Sequence, residues 1–288
     1  MNYFIKEPSF QSNTVEFWSD IRLPFQGNGS IKAMRDSLVE AIFQMNPNKN
    51  NILRASYHSK LKDFCDLENI LLYNIEKPAV FKKLCRGGIS LERTFDFGPC
   101  LGISGNAFPH YHRYELVNKP YIRHWRVQKI LAHWENISIS KITTDTKPAE
   151  YWKALKEDQI SVLDEVSDGF FGIDIEIKIQ EKSGFNLVSV IKPLLDGIIA
   201  SFHAHQGENL ELVSKRLAKS VDVDRQYIEN LLLNKSQAVL GMRNLIHPYQ
   251  NNIKWNPADE RCMVINIICN KNHEKKSPEI SGRLFTLI

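Results

Sequence analysis

Cysteine is scarce in this chain. Cys65, Cys85, Cys100, Cys262 and Cys269 are odd in number and contain no CxxC spacing, which argues against a disulfide framework or a structural zinc centre and for reduced thiols. A long unbroken apolar run is also missing. The longest, 188–202, is interrupted by Lys192 and Asp196, so neither a membrane-spanning segment nor a membrane partner is expected. The opening MNYFIKEPSF has neither the basic flank nor the apolar core of a signal peptide, and cytoplasmic residence is the expectation. No excess of one charge stands out, since 37 lysines and arginines face 33 aspartates and glutamates; bulk electrostatics alone does not tie such a chain to nucleic acid. There is no G-x-x-x-x-G-K-[ST] phosphate loop, G-x-S-x-G elbow or H-E-x-x-H pair, which argues against the common NTPase, hydrolase and zinc-protease classes.

What the chain does have is enough apolar residues, 43% of 288, to bury a sizeable core in one large domain or two of ordinary size. Residues 30–44 read as a helix with Ile31, Met34, Leu38, Ile42 and Phe43 on one face and Ser30 as N-cap. Residues 52–61 read as a strand, and 68–75 as an apolar segment of either type. Residues 97–120, with Gly98, Pro99, Gly102, Gly105, Pro109 and Pro120, show no period and mark a boundary. Beyond it, 171–180 alternates Ile173, Ile175, Ile177 and Ile179 with Asp174, Glu176, Lys178 and Gln180, the pattern of a strand with one buried face. Helices are expected at 187–204, 209–219 and 224–234, with Asp222 or Asp224 as a cap, then a strand at 262–269, a polar break at 271–276 and a short edge strand at 283–288. The expected class is α+β, as two related β-α-rich lobes or one continuous domain with mixed or antiparallel sheets. The lobes would be 1–118 and 119–288, the second with a helical insertion at about 207–245.

One local stretch departs from the charge balance. Residues 119–133 hold Lys119, Arg123, Arg126 and Lys129 among Tyr121, Trp125 and histidines, with no acid. Such a run is suited to neutralising phosphates and stacking on DNA or RNA bases. The alternative is a helix over 121–134 that buries Ile122, Trp125, Ile130 and Leu131 and leaves the cations in water.

A second constellation is Lys192-Pro-Leu-Leu-Asp196, with the two charges one helical turn apart on one face, followed downstream by Asp259-Glu260 at the entrance to a strand. These residues resemble RusA-type Holliday junction resolvases, magnesium-dependent DNA endonucleases whose signature is approximately D-x-D-N-x-x-K-x-x-x-D with a later acidic pair. In this chain Asn186 and Val188 stand where the first two carboxylates belong. The fragment Asp66-Leu-Glu68-Asn69 matches D-x-D-N, with Leu72 at the lysine position. The resemblance implies a nucleic-acid-binding protein of RusA-like ancestry without full nuclease activity, of bacterial or phage origin. Magnesium needs several oxygen ligands, so catalysis would require a composite site drawn from Asp66, Glu68, Lys192, Asp196 and Asp259, with magnesium as its cofactor. A third reading is a protein-interaction subunit of a bacterial or phage-encoded assembly.

Simpler roles stand beside each of these: Asp66 and Glu68 as helix caps, Lys192 extending its charge to solvent, and Asp259 in a turn after Pro257. Asp164 or Asp168 with Glu176-Ile-Lys178 resembles the PD-(D/E)xK nuclease arrangement, and the same alternation fits any half-exposed strand. The pairs His110-Tyr-His112 and His203-Ala-His205 carry metal-ligand chemistry, yet capping or surface placement is expected of them.

Overall fold

Side chains that alternate between the two faces of a sheet organise the first part of the chain. The computed structural model describes residues 2–9, 12–49, 51–61, 65–75, 77–96, 98–99, 108–163, 166–180, 185–271 and 277–288, and its class is α+β with mixed pairing. Two compact units divide it. The first holds 1–126, 186–188 and 262–270, and the second holds 127–185, 189–261 and 271–288.

In the first unit, β1 (Tyr3–Lys6), β2 (Thr14–Ser19), α1 (Ser30–Phe43), β3 (Ile52–His58), α2 (Leu67–Leu71), β4 (Gly88–Thr94) and β5 (His110–Val117) follow one another. Far downstream, β13 (Cys262–Lys271) adds a strand beside β4. The order is β1-β2-β5-β3-β4-β13, antiparallel except for β3 and β4, which run parallel with α2 in their crossover. Side chains alternate across the sheet. One face therefore carries Val15, Phe17, Leu53, Ala55, Ile89, Leu91, Tyr114, Ile265 and Ile267, all fully buried. Helix α1 buries Met34, Leu38, Ala41 and Ile42, while Phe43, expected on the same face, is 73% exposed. Gly88 starts β4 at φ +143°, and a Cβ there would stand 2.2 Å from the Ile267 carbonyl oxygen, so only glycine permits the close approach to β13. The unpunctuated strand β5 lies inside the stretch expected to lack regular structure.

The second unit contains β6 (Val127–Ser138), α3 (Pro148–Glu157), β7 (Ser161–Val162), β8 (Phe171–Ile179), α4 (Leu187–Ser201, from residue 189 onward), β9 (Ala204–His205), α5 (Leu210–Val221), α6 (Arg225–Leu233), β10 (Met242–Arg243), β11 (Ile246–Tyr249), β12 (Asn252–Trp255) and β14 (Glu279–Leu287). Its sheet runs β8-β14-β6-β7, antiparallel throughout. Strand β8 forms as the isoleucine alternation predicts, and Ile173, Ile175, Ile177 and Ile179 are buried. Two expectations are corrected. The helix alternative over 121–134 gives way to β6, and the expected edge strand is β14, which is flanked by β8 and β6.

A cluster of Trp152, Ala200, Val213, Leu217, Ile228, Leu232 and Leu245 forms the helical core. Helices α5 and α6 each bury one apolar stripe in it. Asp222, at φ 52°, ends α5, and the Asp224 carboxylate accepts from the Tyr227 N–H at 3.2 Å to cap α6. Gly197 on α4 faces α3 so closely that a Cβ would lie 2.4 Å from the Pro148 carbonyl oxygen and 2.7 Å from the Tyr151 Cβ. Residues 272–276 of the expected polar break lie outside the described residues.

Candidate functional site

The second face of the first unit's sheet is polar and yet buried. Register places Glu16, Tyr111, Arg113, Glu115, Arg54, Ser56, His58, Ser90, Glu92 and Asn266 on it, and burial of charge is tolerable only when each charge finds a partner. Arg54, 1% exposed, pairs with Glu92 and, at 2.9 Å, with Glu115. Arg113 donates to Glu115 at 2.8 and 3.0 Å and to Glu16 at 3.4 Å. The Tyr111 hydroxyl donates to Glu16 at 2.5 Å. Burial raises the pKa of Glu115, but Arg113, Tyr121 and Arg54 more than offset it and hold the carboxyl below its ordinary range. Glu16 is likewise held down, against burial, by Tyr111, Lys6 and Arg113.

This network fixes the segment that follows β5. The main-chain N–H groups of Arg123 and His124 donate to Glu92 at 3.1 and 2.7 Å. The Tyr121 hydroxyl donates to Glu115 at 2.9 Å, and the Arg54 guanidinium sits 4.3 Å from the Tyr121 ring centre. Trp125 Nε1 donates to the Arg93 carbonyl at 2.6 Å. With its main chain bonded to Glu92 and the polar tips of Tyr121 and Trp125 bonded to Glu115 and the Arg93 carbonyl, the segment exposes Lys119, Arg123 and Arg126. Lys129, the fourth cation of the run, is exposed on β6 in the second unit.

No family model, curated protein or solved structure matches this chain. The side chains carry the functional reading.

Of the acidic and lysine candidates, three meet within the second unit. Lys192 Nζ lies 3.1 Å from Asp196 Oδ1, one turn along α4, and 3.1 Å from Asp259 Oδ2 in the short helical turn Asp259–Arg261. The lysine side chain is 31% exposed and each carboxylate 15%, so the charge is shared between two acids and does not extend freely into water. Asp66 and Glu68 belong to the first unit. Asp66 occupies the N-cap position of α2 without a side-chain cap; its carboxylate accepts from the Asn69 amide. Glu68 stands in the first turn of α2, as a helix-capping role expects, and is 1% exposed.

The histidine pairs are also corrected: all four are buried. On β5, the Tyr57 hydroxyl and His110 Nδ1 are 2.7 Å apart, and His112 stacks on Tyr114 and meets Phe17 edge-on and Tyr57 at a tilt. His203 Nδ1 donates to the Gly241 carbonyl at 3.2 Å and Nε2 accepts from the Ala258 N–H at 3.3 Å. His205 uses the opposite tautomer, donating from Nε2 to the Glu208 carbonyl at 2.9 Å and accepting at Nδ1 from the Leu245 N–H at 3.1 Å. Each ring staples two backbone segments. In the rival nuclease pattern, Glu176 and Lys178 share a half-buried face of β8, with Lys178 bonded to Asn136 at 2.9 Å; Asp168 is exposed, and Asp164 lies outside the described residues.

Proposed function

We propose that this protein binds nucleic acid through the cationic segment ahead of β6, with Lys119, Arg123 and Arg126 as phosphate contacts and Lys129 as a further cation. The observation that supports this reading is the anchoring of the segment to Glu92, Glu115 and the Arg93 carbonyl while its cations face water. Phosphate contacts gain when donors are held in place before binding, because less side-chain and loop entropy is lost. RusA-like ancestry belongs to the same proposal, as does cytoplasmic residence. It rests on the spacing of Lys192, Asp196 and Asp259, and the neutralisation of Lys192 by two carboxylates is compatible with a binding role that does not require turnover. Among the described residues no helix is long and apolar enough to cross a membrane.

Replacing Lys119 and Arg123 together with alanine is expected to lower affinity for single-stranded and branched DNA about equally across sequences. The slope of log affinity against log salt should flatten by about 0.7 to 0.9 for each lost phosphate contact. Unchanged affinity and slope would remove the segment from the binding surface and leave protein assembly as the reading. Magnesium-dependent cleavage of junction DNA that disappears in both Asp66→Asn and Asp259→Asn proteins, with folding intact, would replace the proposal with the endonuclease reading.

A further inference from the structure

We infer that His58, Asp96 and His124 form a binding site for one divalent transition-metal ion. The three side chains come from separate segments of the first unit: the last residue of β3, the turn just beyond β4, and the anchored stretch before β6. One ligand atom from each lies within 4.8 Å of the other two. Nδ1 of His58 is 3.1 Å from one oxygen of Asp96, and Nδ1 of His124 is 3.8 Å from the other. Ligand atoms bound to zinc at 2.0 to 2.1 Å in a tetrahedron are about 3.4 Å apart, so small side-chain rotations bring this set onto an ion. The imidazole rings stand edge to face at 89°, with centres 4.7 Å apart, an arrangement in which both nitrogens reach one point without ring collision.

The chemistry of the donors selects the class of ion. Two imidazole nitrogens and one carboxylate oxygen suit zinc, cobalt, nickel or iron, whereas magnesium and calcium require mostly oxygen. His58 is kept neutral at physiological pH: burial first, then the neighbouring His124, lowers its pKa to about 4, so its lone pair is available without displacing a proton. Asp96 is ionised, its carboxyl held low, against burial, by hydrogen bonds from Thr94 and His58. His58 Nε2 faces the buried Ser56 hydroxyl at 3.3 Å. A hydroxyl can donate or accept, so Ser56 accommodates the ring when Nδ1 bonds Asp96 and also when Nδ1 binds an ion and Nε2 carries the proton, the outer support usual for a ligating histidine. His124 is fixed through its main-chain bond to Glu92. Side-chain exposure rises from 7% at His58 to 22% at His124 and 54% at Asp96, giving an ion a path from solvent and leaving its remaining coordination positions to water. Arg54 opposes binding by its charge, and its pairing with Glu92 and Glu115 offsets that opposition.

The site is tested on the full chain, stripped with a chelator and titrated with zinc by calorimetry, and with cobalt by visible absorption. Wild-type protein is expected to bind one equivalent, and His124→Gln and Asp96→Asn to lose at least about tenfold in zinc affinity together with the cobalt bands. His247→Gln, altered at an imidazole of the second unit, should bind as wild type. Far-ultraviolet circular dichroism establishes that the variants are folded, which their partly exposed positions favour. Less than one equivalent on the wild type, or undiminished affinity in both His124→Gln and Asp96→Asn, would overturn the site.

Discussion

The two units bury polar groups in opposite ways. On the sheet face of the first, charge is answered by charge: Arg54, Arg113, Glu16, Glu92 and Glu115 are joined side chain to side chain across four strands. In the second, His203, His205 and Lys156 are answered by main chain. Lys156 Nζ donates to the His203 carbonyl at 3.0 Å, and its burial lowers the lysine pKa to about 8. A charge network holds its members by attraction and leaves a stranded ion when one is removed. A backbone staple needs only a donor and an acceptor, so its histidines remain neutral. The first arrangement fixes a segment that presents cations, whereas the second closes a core.

The sharpest break of this contrast is Arg54→Met. It removes the cation shared by Glu92 and Glu115 while keeping much of the side-chain volume, and breaking a buried pair in this way costs about 3 to 5 kcal/mol. Chemical denaturation should report a loss in that range, and anchoring of the 119–126 segment should weaken, visible as faster amide exchange at Arg123 and His124. A loss below about 1 kcal/mol would mean that the network contributes little beyond what water supplies.

The neutral buried histidines, His203 of the staple and His112 and His58 of the first unit, are probed by pH. His203 is held at a pKa of about 3 and His112 at about 3, chiefly by burial, while His58 is held at about 4. Unfolded histidine titrates near 6.5. Below that pH the unfolded chain takes up protons that the folded chain refuses, so stability falls as pH drops from about 6.5 towards 4, by on the order of 1.4 kcal/mol per pH unit for each such histidine. Glu115 and Glu16 act lower: their folded pKa values are depressed, so the stability they contribute is present above the ordinary carboxylate range and is lost as pH falls through it. His203→Gln keeps an amide donor and acceptor but does not titrate. Its unfolding free energy should vary less steeply between pH 6 and 5, by about one proton. An unchanged slope would show that His203 titrates normally in the folded chain.

Much of the secondary structure was legible, for local reasons. The isoleucines of β8 and the apolar stripes of α5 and α6 carry unmixed periods, and Asp224 sits where a cap belongs. Strand β6 misled because it buries Leu131, Ala132, Trp134 and Ile137, a spacing irregular for a strand. The cause is a set of register shifts opposite Ile280–Gly282 and Leu284–Phe285, which move successive side chains to the same side. Strand β5 was hidden by flanking glycine and proline and by its polar content. The pairing of Lys192 with Asp196 follows from helical spacing, whereas Asp259 joins them through tertiary structure across 67 residues. The charged sheet face is built from Glu16, Arg54, Glu92, Arg113 and Glu115, whose pairings, apart from Arg113 with Glu115, join residues 38 to 97 positions apart; alternation alone places such polar residues in solvent.

The smallest expected effect belongs to the Lys192 group, intermediate between the two modes: charged as in the first unit, but 31% exposed at the lysine. The lysine precedes the aspartate in α4, the weaker order for a pair one turn apart because the helix dipole favours the reverse. Solvent screens what remains, and pairs of this exposure contribute about 0 to 1 kcal/mol. Lys192→Ala should therefore shift stability by less than about 1 kcal/mol. If Lys192 takes part in the proposed nucleic-acid binding, the same substitution should also weaken that binding at low salt more than at high salt. A variant that loses several kcal/mol with unaltered binding would place Lys192 with the structural charge networks instead, and the comparison between the units would then be one of degree, with attraction between buried charges holding both.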